Sequence, residues 1–461
     1  MRIPATPPDF REVFRRQMKA VAAGGPGELN VLAARAAKAS PIDGKGRYLH
    51  WEDFRFRPTP DGIDPALWWS LVRRAREARA SALPLTDKRG AAFFFVPTDT
   101  IARALHEIDS QTRGGVRLDT IVPSDMEAKS FLITSLIEEP FNSSVLEGAV
   151  ATRERAKKII RENREPKTLG ERMIVNNYRA IEFIKRQKDE ALTPALVCEL
   201  HRLTTAGTLE NPAMTGVLRR PQDNINVEDV ITGDILHAPP PAQTLPARLD
   251  ALCEFANSDD EEGPFIHPIL RAVMLHFMLA YDHPFVDGNG RTARALYYWA
   301  VVRYGYWLLE YVSISKAINE APTRYGMAFL ETETDEGDLT YFINHQLDMI
   351  LTGIKSLYAF IDKKKAEVET LQKVLSDGRL RASFNHRQLA LLNEAARASS
   401  RIFTIEEHRK AHGVSYLTAR KDLEGLAAAN FLEKRKQGVA SLYRPAKGLA
   451  GKLAQISGGG A

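Results

Sequence analysis

Cysteine is nearly absent: Cys198 and Cys253 are all that 461 residues hold. Each sits in an apolar helical pattern far from the other, which excludes a disulfide framework and a zinc cluster and makes both buried hydrophobes. No uninterrupted apolar run is long enough to span a bilayer, so no membrane contact is expected. The start, MRIPATPPDFREVFRRQMKAVAAGG, carries arginines but lacks the apolar stretch of a secretory signal, and the expected compartment is the cytoplasm. Charge of one sign is scarce too. A formal net charge of +5 with pI near 9.0 permits anionic ligands without indicating nucleic acid by itself. Neither a G-x-x-x-x-G-K-[ST] loop nor a kinase signature set occurs, so a phosphate ligand would need another cradle.

What is present is ordinary for a globular chain, 44% hydrophobic and 26% charged, with length for two or three domains. The periodicity predicts a mainly α protein. Residues 1–45, rich in Ala, Gly, Pro and Arg without sustained period, read as a weakly ordered arm, and 46–115 as an N-terminal module joining the helix WWSLVRRAREARA to a strand-like AAFFFV. Residues 116–354 form the main helical domain, with three- and four-residue apolar spacing in TLGERMIVNNYRAIEFIKR, TPALVCELHRLTTA and PILRAVMLHFMLAY. A small hairpin interrupts it in GVLRRPQDNINVEDVITGDILHAPPP. Over 355–382 a linking helix is expected, with Ile354, Leu357, Ile361, Val368, Leu371 and Leu375 on a heptad broken by Lys364, the pattern of a helix that packs against another chain in a homodimer.

Residues 383–449 read as three helices and a hairpin around Gly438: Asn385 to Ala396, a second helix opened by the Thr404–Glu407 capping box and closed by Gly413, and a third capped by Ser415. The order resembles a winged helix-turn-helix with Val414, Leu423 and Leu426 facing the core. Roughly twelve Lys and Arg stand against about six acidic residues there, so DNA or a protein is the expected partner, with Arg420, Lys421, Lys434, Arg435 and Lys436 as the phosphate contacts. Residues 450–461 are read as a flexible tail.

The densest chemistry is HPFVDGNGRTAR, residues 283–294. Pro284 stops the preceding helix and biases His283 toward an extended backbone. Phe285 is expected to anchor the loop in the core, while Gly288 and Gly290 allow positive φ and close approach of a ligand. With the first amides of a helix starting near Arg291, they suit a phosphate. Arg291 and Arg294, three apart on one face, oppose the dipole of a helix start, by a few tenths to about 1 kcal/mol each, unless an anion binds there. Asp287 is a hard oxygen ligand suited to Mg2+, and His283 is the available general base. Together they describe phosphoryl or nucleotidyl transfer to a hydroxyl.

HPFVDGNGRTAR resembles, position for position, the HPFx[DE]GNGRxxR signature of the Fic family. The resemblance implies a helical catalytic domain that transfers AMP from ATP to a Ser, Thr or Tyr hydroxyl of a protein, itself among the targets, with release of pyrophosphate. By that resemblance His283 deprotonates the hydroxyl and Asp287 holds Mg2+. Gly288, Asn289 and Gly290 form the anion hole with the Asn289 side chain as a donor, and Arg291 and Arg294 contact the phosphates. The hairpin between Arg219 and Ala238 would be the family's flap, aligning an extended target, and Tyr325 and Asn344 would line the adenine pocket or pack in the core. Upstream, Ser143, Glu147 and Gly148 fit the inhibitory pattern [ST]xxxE[GN], with Glu147 pairing with Arg294 in place of the γ-phosphate. The same scaffold admits another nucleotide, AMP removal, or a nucleotide-sensing DNA-binding regulator.

Overall fold

PILRAVMLHFMLAYD is apolar on every side, and such a helix must lie inside others. In the computed structural model it spans Pro268–Asp282 with Ile269 through Leu279 all buried. The structure describes the chain apart from residues 25, 114–124, 259–264, 377–381, 398–400, 438–439, 450–451 and 454–461, so Gly438 and all of the expected tail but Lys452 and Leu453 lie outside the described residues; Leu453 is buried in one hydrophobic cluster with Leu449 and Tyr443, which corrects the flexible reading there. The chain divides into two compact units, residues 1–116 with 132–355 and residues 117–131 with 356–461.

The first unit opens with α1 (Phe10–Gly24) and α2 (Pro26–Lys38), then α3 (Trp51–Phe54), α4 (Pro65–Glu77), the antiparallel pair β1 (Ser81–Thr86) and β2 (Ala92–Phe95), and α5 (Asp99–Thr112). The expected weakly ordered arm is therefore corrected. Phe10 packs with Trp69 and Val72, and Val21 and Leu32 pack with Leu71, so a few widely spaced apolar residues dock both helices on α4. Burial of that size outweighs the Ala- and Gly-rich composition. Arg73 and Arg76 of α4 are buried, Arg73 beside Asp335 at 3.2 Å and Arg76 donating to Tyr341 Oη at 2.8 Å, which fixes the N-terminal module to the turn after residue 334.

The helical core follows as α6 (Asp125–Leu146), α7 (Arg153–Arg161), α8 (Leu169–Arg186), α9 (Pro194–Thr205), the hairpin β3 (Val227–Glu228) and β4 (Ile235–His237), α10 (Leu245–Asn257), α11 (Pro268–Asp282), α12 (Asn289–Arg303), α13 (Ile314–Glu320), α14 (Pro322–Thr334) and α15 (Thr340–Ser376). Side-chain caps from Thr168 and Thr193 open α8 and α9. The linking helix begins at Thr340, fifteen residues before the expected start, because Tyr341, Phe342, Ile343 and Leu347 continue the buried stripe backward from Ile350. Ile354, Leu357 and Ile361 are buried within this chain and so do not form a free seam for a second copy; the side chains of Val368, Leu371 and Leu375 lie outside the described residues.

In the second unit α16 (His386–Arg397), β5 (Phe403–Thr404), α17 (Ile405–His412), α18 (Tyr416–Ala428), β6 (Leu432–Gln437) and β7 (Ala440–Pro445) enclose Leu391, Leu392, Leu423, Leu426, Phe431 and Tyr443. The strand order is β5-β7-β6, antiparallel throughout. Thr404 and Glu407 exchange both capping-box bonds at 3.2 Å, Gly413 closes α17, and the Ser415 hydroxyl accepts from the Thr418 amide. Val414 is half-buried against the cluster.

Candidate active site

Helix α11 ends where proline forbids another turn. His283 closes it in the left-handed region, φ 46° and ψ 55°, with its amide donating to Leu279 O at 3.1 Å. The expected extended backbone is thus corrected: capping α11 outweighs the preference of a residue before proline. Arg219 holds this cap. Its Nε donates to His283 O at 2.7 Å, its Nη2 to Pro240 O at 2.6 Å and Asp282 O at 3.2 Å, and its own amide to Pro284 O at 2.8 Å. A cation on the last carbonyls of a helix also suits the dipole. His283 Nδ1 lies 3.3 Å from Ala280 O; a carbonyl only accepts, so Nδ1 carries the proton and Nε2 keeps its lone pair. Burial lowers the His283 pKa to about 4 against the opposing pull of the Ala280 carbonyl, and the ring is neutral at pH 7.

The loop after Pro284 is shaped by buried side chains. Phe285 is fully buried and stacks on His201, ring centroids 3.7 Å apart and 1° from parallel. His201 Nδ1 accepts from the Gly216 amide at 2.9 Å, so its Nε2 donates to Asp287 O, also at 2.9 Å. Burial lowers its pKa to about 4. The Asn289 side chain accepts from the Phe285 amide at 2.9 Å and donates to Phe285 O at 2.8 Å. Both ends of that amide thus close the loop, and the second N–H of Nδ2 is the one left for the expected anion. Gly288 has φ 80° and a Cβ there would fall 2.4 Å from Thr205 Cγ2. Asp287 accepts from the Gly288 amide at 2.6 Å and its side chain is 62% exposed.

Helix α12 starts at Asn289, two residues before the expected start, so Arg294 lies in its second turn. Arg291 is turned toward the end of α9, donating to Thr204 O at 3.1 Å and Thr208 Oγ1 at 3.2 Å, with Asp287 Oδ2 3.5 Å away. That differs from an arginine reaching into the loop, and the carbonyl end of α9 accounts for it. Arg294 faces the other way. Its Nε donates to Ser143 Oγ at 2.9 Å, and its Nη2 to Ser143 O at 3.1 Å and Glu147 Oε1 at 2.7 Å. Ser143 and Arg294 are buried, and the Glu147 side chain is 23% exposed. Burial pushes the Glu147 carboxyl up, but the Arg294 guanidinium outweighs it and holds the group below the usual range. Gly148, φ 84°, turns the chain after it. Gly290 supplies the space: a Cβ there would lie 2.4 Å from Glu147 Oε1.

Around this pair, Tyr325 Oη meets His276 Nε2 at 2.9 Å, and burial lifts the tyrosine to about 12; Asn344 is half-buried on α15. The buried Glu139 accepts from Ser313 Oγ at 2.8 Å and from the Ser315 amide at 3.1 Å. Of the expected hairpin only β3 and β4 pair, and their turn leaves Val230 and Ile231 exposed. His201, Arg219 and Glu139 were missed by sequence reasoning. Only Arg219 had a signal, an arginine in a segment of mixed turn residues, and its bonds are all to backbone. In the second unit Arg420, Lys421, Lys434, Arg435 and Lys436 are all exposed.

Residues 191–301 match the Fic/DOC family model. The chain is 35% identical over 120 residues to a Protein adenylyltransferase Fic of Nematostella vectensis, covering 26% of this chain and 25% of that one. It is 30% identical over 168 residues to a protein of the same name from Drosophila ananassae, covering 34% and 31%. It thus spans about a quarter to a third of the length of these curated relatives. Among solved structures, a Fic family protein from Desulfovibrio desulfuricans aligns at TM-score 0.48 and 18% identity over 76% of this chain and 97% of that one. A Fic-1 fragment from C. elegans aligns at 0.43 and 18% over 57% and 71%. Residues 191–301, which hold His201, the His283 loop and the start of α12, are a Fic/DOC family domain.

Proposed function

We propose that the first unit is a protein adenylyltransferase, moving AMP from ATP to a Ser, Thr or Tyr hydroxyl of a protein, and that Glu147 restrains it. The observation that carries the reading is the Glu147–Arg294 pair, 2.7 Å long and pressed against the backbone of Gly290. It puts a carboxylate where the loop and helix start offer a seat for phosphate charge, and a charge-assisted bond of about 1.5–3 kcal/mol has to be exchanged before a γ-phosphate takes that place. His283 Nε2, free of its ring proton, takes the proton of the target hydroxyl. The hydroxyl oxygen bonds to the α-phosphorus, the bond from that phosphorus to the bridging oxygen breaks, and pyrophosphate leaves. Arg219 and His201 act through backbone carbonyls, the first setting the position of His283 and the second that of Asp287. Asp287 offers a single exposed carboxylate with one oxygen already accepting a backbone amide; this fits Mg2+, which takes few protein ligands and completes its shell with phosphate oxygens and water. When bound, the ion neutralises phosphate charge.

The adenine preference comes from the relatives' printed name. The test is labelling of proteins in a cell extract, and of the chain itself, by ATP, CTP, GTP and UTP carrying label at the α-phosphate. Glu147→Gly should raise labelling from ATP above wild type, and His283→Ala in the same background should lower it by about 10²–10⁴-fold. Unchanged labelling in Glu147→Gly removes the restraint, and undiminished labelling in the His283→Ala double variant removes the base.

A further inference from the structure

The first unit's chemistry leaves the outer face of α18 without a task. Ala419, Asp422, Leu423 and Leu426 point into the second unit's core. Asp422 accepts from Arg387 Nε at 2.7 Å and from Asn385 Nδ2 at 2.8 Å, which fixes the helix at its middle. The opposite stripe carries Tyr416, Leu417, Arg420 and Lys421 at helical spacing, and the first two are large apolar side chains 55% and 61% exposed. Only Gly413, Val414 and Ser415 separate α17 from α18, the short glycine-bearing turn of a helix-turn-helix.

Strand β6 lies beside that stripe. Glu424 Oε1 accepts from both Arg420 Nε, at 3.1 Å, and Lys434 Nζ, at 2.8 Å, tying helix to strand. Lys436 follows Lys434 on the same face of β6, one step further along the strand. No ion pair is formed by Lys421, Arg435 or Lys436 among the described residues. Lysines on an edge strand also discourage strand-to-strand aggregation, and β6 is an edge. That role accounts for the strand but not for a tyrosine and a leucine standing exposed at the start of the neighbouring helix.

We propose that the second unit is a winged helix-turn-helix that binds double-stranded DNA, with α18 entering the major groove and β6 lying along the phosphates. A helix with its side chains is about 10–12 Å across and the groove about 12 Å wide. Tyr416 and Leu417, at the leading end of α18, meet base edges, where apolar groups contact the thymine methyl. Lys421 and Lys436 neutralise phosphates directly, while Arg435, between Lys434 and Lys436, points to the other face of β6. Glu424 is a built-in counter-charge that holds Arg420 and Lys434 back from the same backbone.

The full-length chain, without nucleotide, is titrated against fluorescent 20-base-pair duplexes of randomised sequence across a series of salt concentrations. Binding should weaken with salt at a log–log slope of about −2 or steeper, near −0.9 per phosphate neutralised by Lys421 and Lys436. Lys436→Ala should reduce the slope by about 1. Glu424→Gln should tighten binding several-fold and steepen the slope, since two cations are released. Tyr416→Ala with Leu417→Ala should keep the slope but lose the preference for a duplex selected from the pool over its scramble. Duplex binding absent at low salt overturns the proposal, as does equal affinity for polyglutamate, which would mark the face as a protein-docking surface. Binding untouched by the paired Lys421→Glu and Lys436→Glu changes overturns it as well. All these variants are at exposed or half-exposed positions, and an unchanged far-ultraviolet spectrum separates lost binding from lost folding.

Discussion

Gly290→Ala tests how closely the Glu147 carboxylate is fitted. The added Cβ falls 2.4 Å from Glu147 Oε1 and 3.1 Å from Arg294 Nη1. Position 290 is helical, where alanine is favoured over glycine by about 0.8–1.0 kcal/mol, so in open space the change would stabilise. Here the carboxylate has to leave first, breaking its 2.7 Å bond to Arg294, and such a bond is worth about 1.5–3 kcal/mol. The net expectation in the wild-type chain is a loss of about 0.5–2 kcal/mol. With Glu147→Gly in place the methyl meets only Arg294 Nη1, at 3.1 Å, and the same substitution becomes neutral or stabilising by up to about 1 kcal/mol. Urea unfolding of the four proteins closes a double-mutant cycle whose coupling should be about 1.5–3 kcal/mol. A coupling below about 0.5 kcal/mol, the scatter expected of independent sites, would refute the fit of carboxylate to backbone.

The remaining predictions concern the base and its mount. Because burial lowers His283 to about 4, the neutral ring persists from pH 8 down to 5, and kcat/KM of the Glu147→Gly enzyme should stay flat over that range on account of this group, falling only near pH 4. A bound triphosphate brings negative charge to the ring, so the inflection in kcat should lie at higher pH than that in kcat/KM; an inflection near 6.5 in kcat/KM would contradict the burial argument. Arg219→Ala removes the bonds to the carbonyls of Pro240, Asp282 and His283 and should lower kcat about 10²-fold with little change in KM for ATP. Arg219→Lys should not restore it, since an ammonium lacks the planar fork; full rescue by lysine would show that charge alone mattered.

The parts legible in the sequence were those whose signal is local. Proline after His283, glycines at 288 and 290 and the arginines at 291 and 294 each impose a conformation or a charge within one turn of chain: the structure ends α11 ahead of Pro284 and brings Arg294 to Glu147, although α12 starts two residues early and His283 is left-handed rather than extended. What stayed hidden depends on partners far along the chain. Asn289 holds Phe285 through both ends of its amide, and Arg291 turns toward Thr204 because the end of α9 happens to lie there. His201 reads as one more residue of an amphipathic helix until Phe285 stacks on it. The first two helices were missed because Ala, Gly and Arg dominate their composition, although Phe10, Phe14, Met18 and Val21 recur at three- and four-residue spacing and Phe10, Val21 and Leu32 are buried.

The backbone of His283 carries a cost that its side chain does not repay in stability. A left-handed φ of 46° disfavours any residue with a Cβ by about 1 kcal/mol, while glycine adopts it freely. His283→Gly should therefore fold more stably than His283→Ala by about that amount, although both lack the imidazole. Under a screen for thermal resistance alone, position 283 should drift to glycine, and the hardiest survivors would be inert. On the proposed function, an imidazole at such a spot gives up endurance for a proton acceptor.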